Sequence, residues 1–337
     1  MKNIDFIFVI VLVELASGLF CECPGEDIVE PCICSSKNGT DQILCDLVSL
    51  DLKQYFTGLS NKLGKHDKHF GSLLVKRLIL DHLEANTFSD ITFDSIRFDD
   101  NNIKTVDQDA FHGTDQVTSY LRFARSAIIS PDGAIFKELS KFKNLEILEL
   151  VSINIKVIPT SAFEYEQGEL FKFEVNGNGL EKVESRAFSK LTGLSMLNFL
   201  WTDLADIPDE AFAFDKQSED VLKLNFFGNS KLNGSGFAPR SLAGMQRPAE
   251  ITFDSVDMVY LDEKVFKTFL DGNKLNKINL FECQLDCKDD RNDWLKDVNL
   301  SRLSPNHCKS SPGGSTINKL NILLIITIVI IALLYNK

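Results

Sequence analysis

The sequence contains 337 residues, of which 44% are hydrophobic and 25% are charged. This length suits one large domain or two ordinary ones, and the composition argues against a wholly disordered chain. The formal net charge is -12 and the sequence has no basic stripe, which argues against a nucleic acid as partner because phosphate backbones require a basic footprint.

The N-terminal segment from Met1 to Gly18 has the composition of a secretory signal peptide. Lys2 supplies the basic start, an unbroken apolar run extends from Phe6 to Val13, and Ala16-Ser17-Gly18 offers small residues for cleavage. We therefore expect cleavage after Gly18 and export of the rest of the chain. A buried N-terminal strand is the alternative, and the cysteines that follow directly argue against it.

Cysteines occur in two clusters near the ends of the sequence, and the middle contains none. In an exported protein they are expected to form disulfides. Zinc would require CxxC-type pairs, which this spacing does not provide. Stacked repeats expose an apolar face at each end, so two disulfide-closed caps fit a repeat protein. The clusters comprise Cys21, Cys23, Cys32, Cys34 and Cys45, and then Cys283, Cys287 and Cys308.

The middle of the chain repeats the pattern LxxLxLxxNxL, followed by an apolar residue and then by Ala-Phe. The clearest copy comprises Leu170, Phe173, Val175, Asn178, Leu180, Val183 and Ala187-Phe188. The centres of the nine copies, clear and weak together, are Leu78, Ile96, Leu121, Leu148, Phe173, Leu197, Leu224, Ile251 and Ile278. Most of their spacings lie at or near the range of roughly 20–29 residues for one repeat class. The first spacing, from Leu78 to Ile96, is shorter than this range and predicts an irregular coil beside the cap.

Each position of the repeat has a role in a stack of coils. The LxL segment forms a short strand with alternate side chains pointing inward. The Asn turns the chain out of the strand, and its amide can bond the backbone of the neighbouring coil. The Phe of Ala-Phe fills the interior and explains much of the excess of phenylalanine, with 26 Phe against 5 Tyr and 2 Trp. The predicted spine comprises Phe88, Phe111, Phe136, Phe163, Phe188, Phe212 and Phe266.

The variable residues between the fixed leucines point into solvent on the concave face. Arg97, Tyr120 and Arg122 lie on adjacent predicted strands, and Tyr and Arg are favoured in protein interfaces. For any one residue, a solvated surface without a partner is the alternative. The same register assigns Arg77, Ile79 and Asp81 to this face in the first coil. The residues predicted to bind a protein ligand are Arg97, Tyr120, Arg122, Glu146, Glu149 and Lys172.

The sequence contains no recognisable catalytic motif, such as GxSxG, HExxH or a P-loop. His66-x-x-His69 lies in a Lys-rich segment and is interpreted as a loop, not a metal pair. The run from Asp99 to Asn102 resembles a calcium loop in composition only and is interpreted as a solvated turn. We expect no enzyme activity, no cofactor and no metal.

Three N-glycosylation sequons begin at Asn38, Asn233 and Asn299. In an exported chain they are expected to carry sugar. All three avoid the predicted strands, so the concave sheet would stay free of glycan.

The C-terminal end carries an apolar run from Leu320 to Tyr335. Sixteen helical residues rise about 24 Å, whereas a hydrocarbon core is about 30 Å thick. The short run favours a signal for a glycosylphosphatidylinositol (GPI) anchor, and a single transmembrane helix is the alternative. Candidate attachment residues are Ser310, which gives the better spacer, and Gly313 or Gly314, which give better small triplets.

The coil ending from Ile158 to Phe163, with the pattern IPxxAF, is typical of extracellular leucine-rich-repeat proteins of the animal cell surface. From Cys21 to Cys308 the sequence resembles this family, which includes arthropod adhesion and receptor proteins. It is also similar to the non-catalytic subunit of a crustacean secreted luciferase. The resemblance implies an α/β solenoid, or horseshoe, with a concave parallel sheet, an irregular or 3-10 convex side, and a disulfide cap at each end.

The resemblance also implies the disulfides of the N-terminal cap. The family pairs the first cysteine with the third and the second with the fourth, which gives Cys23–Cys34 and Cys32–Cys45 and leaves Cys21 as an extra.

The C-terminal cap departs from the family pattern. Cys287, Trp294-Leu295 and Cys308 match it, but the usual CxC is missing, so the resemblance implies only Cys287–Cys308. Cys283 falls where the last repeat would have its Asn, and it is open whether it is a ladder residue or a disulfide partner.

These features predict a cell-surface module that binds an extracellular protein or co-receptor, in adhesion or receptor-type recognition, on the outer side of the plasma membrane. The alternative is a non-catalytic accessory or scaffold subunit of a secreted complex. The predicted segments are a signal peptide (1–18), an N-terminal cap (19–50), about nine repeats (51–282), a C-terminal cap (283–308), a polar linker (309–319) and the anchor or its signal (320–337).

Overall fold

The computed structural model describes residues 23–37, 39–126, 132–177, 179–305 and 308. The predicted signal peptide, polar linker and apolar tail lie outside the described residues. So do Cys21, Asn38, Asn178, Ser310, Gly313 and Gly314.

Short strands recur along the whole described chain. In chain order they are β1 (Ile33–Lys37), β2 (Thr40–Asp46), β3 (His69–Lys76), β4 (Ile79–Leu83), β5 (Thr92–Asp99), β6 (Asn102–Val106), β7 (Tyr120–Ala124), β8 (Ile147–Val151), β9 (Val157–Ile158), β10 (Lys172–Asn176), β11 (Lys182–Val183), β12 (Met196–Leu200), β13 (Leu222–Phe227), β14 (Ala249–Asp254), β15 (Lys277–Phe281) and β16 (Leu303–Ser304).

One long sheet dominates the described part of the chain. Twelve strands lie side by side in the order β1-β2-β3-β5-β7-β8-β10-β12-β13-β14-β15-β16. Only β1 is antiparallel to its neighbour, and the later pairs are parallel. β4 pairs with β6 and β9 with β11 in two small parallel sheets. The predicted solenoid with a parallel sheet is therefore confirmed.

The coils superimpose because their strands keep one register. At the centre of each strand the same inward position is buried in every coil. The residues aligned at this strand centre are Ile43, Leu73, Ile96, Leu121, Leu148, Phe173, Leu197, Leu224, Ile251, Ile278 and Leu303.

The register predicted for the first coil is wrong. Leu73, not Leu78, pairs with Ile96. Arg77 lies in the bend after β3, and Ile79 and Asp81 belong to β4 in a small sheet, so they are not strand residues of the concave face.

The cause of this error is the run from Leu73 to Leu80, in which apolar residues fit either register. The distance along the chain to the next Ala-Phe-type residue distinguishes the two. Phe88 follows Leu73 at the same interval at which Phe111 follows Ile96, whereas Leu78 lies too close to Phe88. Measured from Leu73 to Ile96, the first spacing falls within the repeat range, and the coil is regular.

Phenylalanine forms two files through the core. All seven predicted spine residues are buried, and neighbours such as Phe88 and Phe111 stack with ring centroids 5.6 Å apart. Phe237 joins this file by a 5.1 Å contact to Phe266. Each phenylalanine of the second file follows the strand centre of its coil by two residues. It comprises Phe98, Phe123, Phe199, Phe226 and Phe253.

At a ladder position, five residues after the strand centre, a polar side chain bonds the preceding coil in several of the coils. Asn101 Nδ2 donates to the Val75 carbonyl (3.0 Å), and its Oδ1 accepts from the Leu78 N–H (2.9 Å). Asn229 makes the same two bonds, to the Phe199 carbonyl (2.8 Å) and from the Thr202 N–H (2.9 Å). This confirms the role predicted for the repeat Asn.

Cys283 occupies the ladder position of its coil. Its thiol lies 3.5 Å from the Phe253 carbonyl and 3.3 Å from the Phe281 carbonyl, and it is not bonded to another described cysteine. Burial raises the pKa of the thiol to about 11, so it stays protonated and donates like the hydroxyl of Ser126, which bonds the Phe98 carbonyl at 3.1 Å.

The ladder can be tested by Asn101→Ala. This change leaves the buried Leu78 N–H and Val75 carbonyl without partners, which should lower the free energy of unfolding by about 1–3 kcal/mol. Chemical denaturation measures the loss, and faster hydrogen exchange at the Leu78 amide would locate it. Asn102→Ala, at an exposed neighbour, is the control and should stay within about 0.5 kcal/mol of wild type. Equal losses in the two variants would contradict the ladder.

The convex side is more helical than expected. Its α-helices and the α-helix of the N-terminal cap are α1 (Glu26–Val29), α2 (Leu52–Leu63), α3 (Ile135–Leu139) and α4 (Glu263–Gly272). Short 3-10 helices span Thr114–Gln116, Gly234–Gly236 and Asp290–Asp297. Among the described residues, none of the helices combines the length and the apolar composition that crossing a bilayer requires.

Capping side chains set the ends of the two longer helices. The Asp51 carboxylate accepts from the Gln54 N–H (2.8 Å) where α2 begins, and Asp262 caps α4 in the same way through the Lys264 N–H (2.9 Å). Gly64, with φ 62°, ends α2. Arg302, in the C-terminal cap, donates to carbonyls at the end of α4.

Disulfides close both ends of the solenoid. Cys23 is bonded to Cys34 and Cys32 to Cys45 at the start, and Cys287 is bonded to Cys308 at the end. These are the pairs that the family resemblance implies.

Candidate functional site

The concave face carries ordered columns of side chains because the strands are in register. The residues directly after the strand centres form one such column. From β5 onward it runs Arg97, Arg122, Glu149, Glu174, Asn198, Asn225, Thr252 and Asn279.

Charged residues bridge the strands in the N-terminal half of this column. Arg97 Nη2 lies 3.1 Å from Asp99 Oδ2 on its own strand. Arg122 Nε lies 3.7 Å from Asp99 Oδ1, and Arg122 Nη1 lies 3.1 Å from Glu149 Oε2. Asp99 is buried between the two arginines.

Glu149 is the hub of this arrangement. The Tyr120 hydroxyl donates to its Oε2 (2.8 Å), and Lys172 Nζ lies 2.7 Å from its Oε1. The Glu149 side chain is mostly buried, with 12% exposed. Lys172 also contacts Glu174, two residues further along the same strand, at 3.2 Å.

Amides continue the chain of contacts along the column. Asn198 Nδ2 donates to Glu174 Oε2 (3.1 Å), and Asn225 Nδ2 donates to Asn198 Oδ1 (2.8 Å). We call the connected set the polar network. It comprises Arg97, Asp99, Tyr120, Arg122, Glu149, Lys172, Glu174, Asn198 and Asn225.

The network holds Glu149 ionised. Burial alone would raise the pKa of its carboxyl, but hydrogen bonds from Lys172 and Tyr120 and the charges of Lys172 and Arg122 lower the pKa overall. The same partners act on Tyr120, where burial and the hydrogen bond to Glu149 raise the pKa of the phenol. The hydroxyl therefore remains a donor.

Glu149→Gln tests this electrostatic arrangement. The substitution removes the carboxylate that Arg122 and Lys172 share, which leaves only Asp99 beside Arg122 and Glu174 beside Lys172, and should lower the free energy of unfolding by about 2 kcal/mol at neutral pH. The folded pKa lies below the ordinary value of 4.5. The carboxylate therefore stabilises the fold fully above that pH, and this stabilisation is lost as the pH falls through the folded pKa.

Urea denaturation at a series of pH values measures the effect. The difference between wild type and Glu149→Gln should be constant above the ordinary pKa and should narrow in acid. Glu146→Gln, at an exposed carboxylate on the same coil, should differ little from wild type throughout. A gap between wild type and Glu149→Gln that persists unchanged in acid would refute this account.

The structure brings five of the six predicted binding residues together in the polar network. Glu146 stays apart: its side chain is exposed and has no contact with the network among the described residues, while its carbonyl accepts from the Phe171 and Lys172 N–H groups. The interpretation of Asp99 as part of a solvated turn is wrong, because Arg97 and Arg122 bury it. The sequence did contain a signal for this ion pair, because Asp99 lies two residues after Arg97 and so on the same face of one strand.

The charges of the polar network compensate one another. Three cations, Arg97, Arg122 and Lys172, lie among three carboxylates, Asp99, Glu149 and Glu174. Within the network each charge is therefore paired with an opposite one, whereas Glu146 on the same coil is exposed and forms no ion pair with any described residue. Further along, Lys223 and Lys277 are exposed and form no ion pair with any described residue.

The repeat itself is identified by its sequence. Residues 81–219 match six copies of the BspA type leucine rich repeat region. The coils within these residues are leucine-rich repeats. No curated protein matches the chain.

Two solved structures are similar to this leucine-rich-repeat chain. One is human 5T4 (Wnt-activated inhibitory factor 1, trophoblast glycoprotein), with 17% identity and a TM-score of 0.49, over 84% of this chain and 99% of that chain. The other is a chain of the Toll–Spatzle complex of Drosophila, with 14% identity and a TM-score of 0.41, over 77% of this chain. This chain matches 36% of that longer chain.

Sequence reasoning missed an aromatic feature where the repeat strands end. Trp201, with 51% of its surface exposed, follows β12 directly, and its ring meets Phe227 edge-on at 4.9 Å. Leu200 and Phe227 pair across β12 and β13, and Phe281, 48% exposed, ends β15. We call Leu200, Trp201, Phe227 and Phe281 the aromatic edge. These four residues follow the last position that was predicted to face solvent in their strands.

The described asparagines of the glycosylation sequons are not part of the polar network. Asn233 and Asn299 are both exposed. Asn233 Oδ1 accepts from the Ser235 N–H (2.9 Å) and hydroxyl (2.7 Å) at the start of a 3-10 helix. Asn299, in the C-terminal cap, accepts from the Ser301 N–H at 2.9 Å. Both side chains are accessible for modification.

The described residues form no group of three or more His, Cys, Asp or Glu side chains that could hold a metal ion. His69, from the predicted loop, instead starts β3, where its Nδ1 lies 3.0 Å from Thr92 Oγ1 and its Nε2 lies 3.1 Å from Asp94. His69 thus contacts the neighbouring coil.

Proposed function

We propose that this leucine-rich-repeat chain is a protein-binding module whose concave face recognises another extracellular protein. One observation carries the proposal: the polar network holds Tyr120, Arg122 and Lys172 in fixed positions on an open sheet. A partner that binds such a surface does not have to immobilise long side chains, which reduces the entropic cost of association.

The binding surface can be tested once a partner has been isolated by proximity labelling on cells that express the full chain. Tyr120→Ala should then weaken its binding about tenfold, as expected for an interface anchor. Arg122→Gln tests the network without the repulsion that a reversed charge would meet beside Asp99 and Glu149. Lys143→Glu, at an exposed residue outside the network, is the control. Unchanged affinity in both network variants would exclude this surface.

An extracellular location is part of the proposal. The disulfides near both ends of the solenoid support it, because such bonds persist in oxidising compartments. Two exposed sequons support it as well: loss of one glycan each in Asn233→Gln and Asn299→Gln would appear as increased electrophoretic mobility. A band that moves in neither variant would argue against passage through the secretory pathway.

We further propose a tether to the outer face of the plasma membrane, by a GPI anchor attached at Ser310, Gly313 or Gly314 or by a single helix formed from the apolar tail. Treatment of intact cells with a phosphatidylinositol-specific phospholipase distinguishes the two. Release of the protein indicates the lipid anchor, and retention at the surface indicates the helix. Recovery of the whole product in the medium before treatment would contradict both.

Within this function, adhesion or receptor-type recognition is our first choice, as in the arthropod cell-surface proteins that the sequence resembles. Aggregation of cells that display the full chain tests adhesion. The second candidate is a non-catalytic accessory subunit of a secreted complex, which the resemblance to a subunit of a crustacean luciferase favours. It predicts that the chain co-purifies with an enzyme and that deleting the apolar tail leaves this association intact.

A further inference from the structure

The aromatic edge is held rigid where it is most exposed. The backbone N–H of Trp201 donates to the Phe227 carbonyl at 2.7 Å, and its ring meets the Phe227 ring edge-on at 4.9 Å. The indole lies over Gly228, where a Cβ would overlap the ring. Because its ring packs against Phe227 and Gly228, Trp201 loses little side-chain freedom on binding, which suits the aromatic anchors that dominate protein interfaces.

Two carboxylates lie next to Phe227 and Phe281 in the register of the sheet. Asp254 ends β14, between Phe227 on β13 and Phe281 on β15 in the register of the sheet. Glu282 follows Phe281 directly. The Ser255 hydroxyl lies 3.0 Å from Asp254 Oδ1 and 3.1 Å from Glu282 Oε2, so its one hydrogen is shared by both carboxylates.

These carboxylates lack a counter-charge. No lysine or arginine among the described residues forms an ion pair with Asp254 or Glu282. Burial, and then the charge of Glu282, raise the pKa of Asp254, and the hydrogen bond from Ser255 only partly offsets them. A cation placed here would relieve an unfavourable charge arrangement that the chain itself leaves in place.

The same edge in the N-terminal half shows the compensated form of this arrangement. There Arg77 Nε lies 2.6 Å from Asp46. Asp100 accepts two bonds from the guanidinium of Arg125, at 2.5 and 2.9 Å. The arginines stand at the positive-φ position that ends each strand, the position that Ser255 and Glu282 occupy in the later coils.

We propose that the aromatic edge, with Asp254 and Glu282, binds an arginine of the partner protein that is flanked by apolar side chains. This inference rests on the proposed protein-binding function and assigns the partner its chemistry. A guanidinium stacks on an aromatic ring and offers paired donors to a carboxylate, which suits a site that has both groups. The flanking apolar residues would cover Leu200 and the exposed face of Phe281.

A phage library of random 12-residue peptides, selected on the purified full chain, tests the proposal. The expected result is enrichment of peptides with arginine between apolar residues. Synthetic copies of these peptides should bind at least about tenfold more weakly to Trp201→Ala and to Asp254→Asn. Both changes are at surface positions, and thermal melting of each variant checks that it is folded.

Matched controls separate the site from the general surface. Tyr165→Ala removes an exposed aromatic residue elsewhere, and Asp206→Asn removes an exposed carboxylate without an ion pair in the described structure. Both should leave peptide affinity unchanged. Replacing the peptide arginine by citrulline, which keeps the shape and removes the charge, should abolish binding.

Three results would overturn the inference. They are enrichment of acidic peptides, enrichment of lysine without preference for arginine, and binding that is indifferent to both Trp201→Ala and Asp254→Asn. If peptide binding were indifferent to Trp201→Ala and Asp254→Asn but weakened by Tyr120→Ala, the protein-binding function would stand and only the site at the aromatic edge would be excluded. If no peptide were enriched and no protein partner were labelled on cells, both proposals would fail.

Discussion

Replacement of Phe188 by alanine is expected to lower the free energy of unfolding by about 3–5 kcal/mol. Phe188 is fully buried and touches three other rings, with centroid distances of 6.2 Å to Phe173, 6.1 Å to Phe199 and 5.9 Å to Phe212. The substitution leaves a cavity between two repeats and removes aromatic contacts from both files. Because repeats contact only their neighbours, a defect in the middle also uncouples the two halves of the solenoid.

Chemical denaturation of wild type and variant measures the loss. Phe171→Ala is the matched control, because Phe171 belongs to the preceding strand region but is 41% exposed. Its effect should stay within about 0.5 kcal/mol. Hydrogen exchange adds a local test: protection should fall most in β10 and β12, which flank the cavity. Equal losses in the two variants would mean that the phenylalanine files do not carry the stability of the core.

Periodicity made the solenoid predictable from the sequence. Every predicted strand centre after the first coil is correct, and most of them were supported by two signals, the strand motif and a Phe at a fixed interval after it. In the first coil only the strand motif was used, and it fits both Leu73 and Leu78. The second signal, Phe88, was present in the sequence and resolves the ambiguity. The register error thus arose because the strand motif was used without the phenylalanine that follows it at a fixed interval.

Adjacency on the concave face was also predictable, but its electrostatics were not. In-register stacking puts Arg97 and Arg122 on neighbouring strands, as predicted. Whether their charges are free depends on distances of a few ångströms to Asp99 and Glu149, which strand order alone does not determine. A face that looks like a set of available charges in the sequence is an internally neutralised network in three dimensions.

The aromatic edge escaped prediction for a related reason. Trp201 lies at the position that turns the chain out of the strand, where other coils have Arg77, Asp100 or Gly228, so no residue type marks it as repeat-specific. It is exposed at a position with a left-handed backbone, φ 56°.

Removing the disulfide Cys32–Cys45 is expected to have the second large effect. The bond closes a loop with a sequence separation of 13 residues, and constraining a loop of this size contributes about 3 kcal/mol in the chain-entropy account. Both cysteines are also buried in the core beside the first parallel strand. The double change Cys32→Ala/Cys45→Ala should therefore open the N-terminal cap and expose the apolar end of the repeat stack.

The outer disulfide provides an internal comparison. Cys23–Cys34 has a similar sequence separation, 11 residues, but both cysteines are only partly buried. Removing Cys23–Cys34 should lose the loop-closure contribution but little buried packing. It should therefore lower the free energy of unfolding less than removing Cys32–Cys45. Hydrogen exchange can localise each effect: in the Cys32–Cys45 variant, protection should fall in β1, β2 and β3 and should persist in β13 to β15, because stability in a solenoid passes from neighbour to neighbour. A uniform loss along the chain would indicate instead that the solenoid unfolds as one unit, with the cap required for every coil.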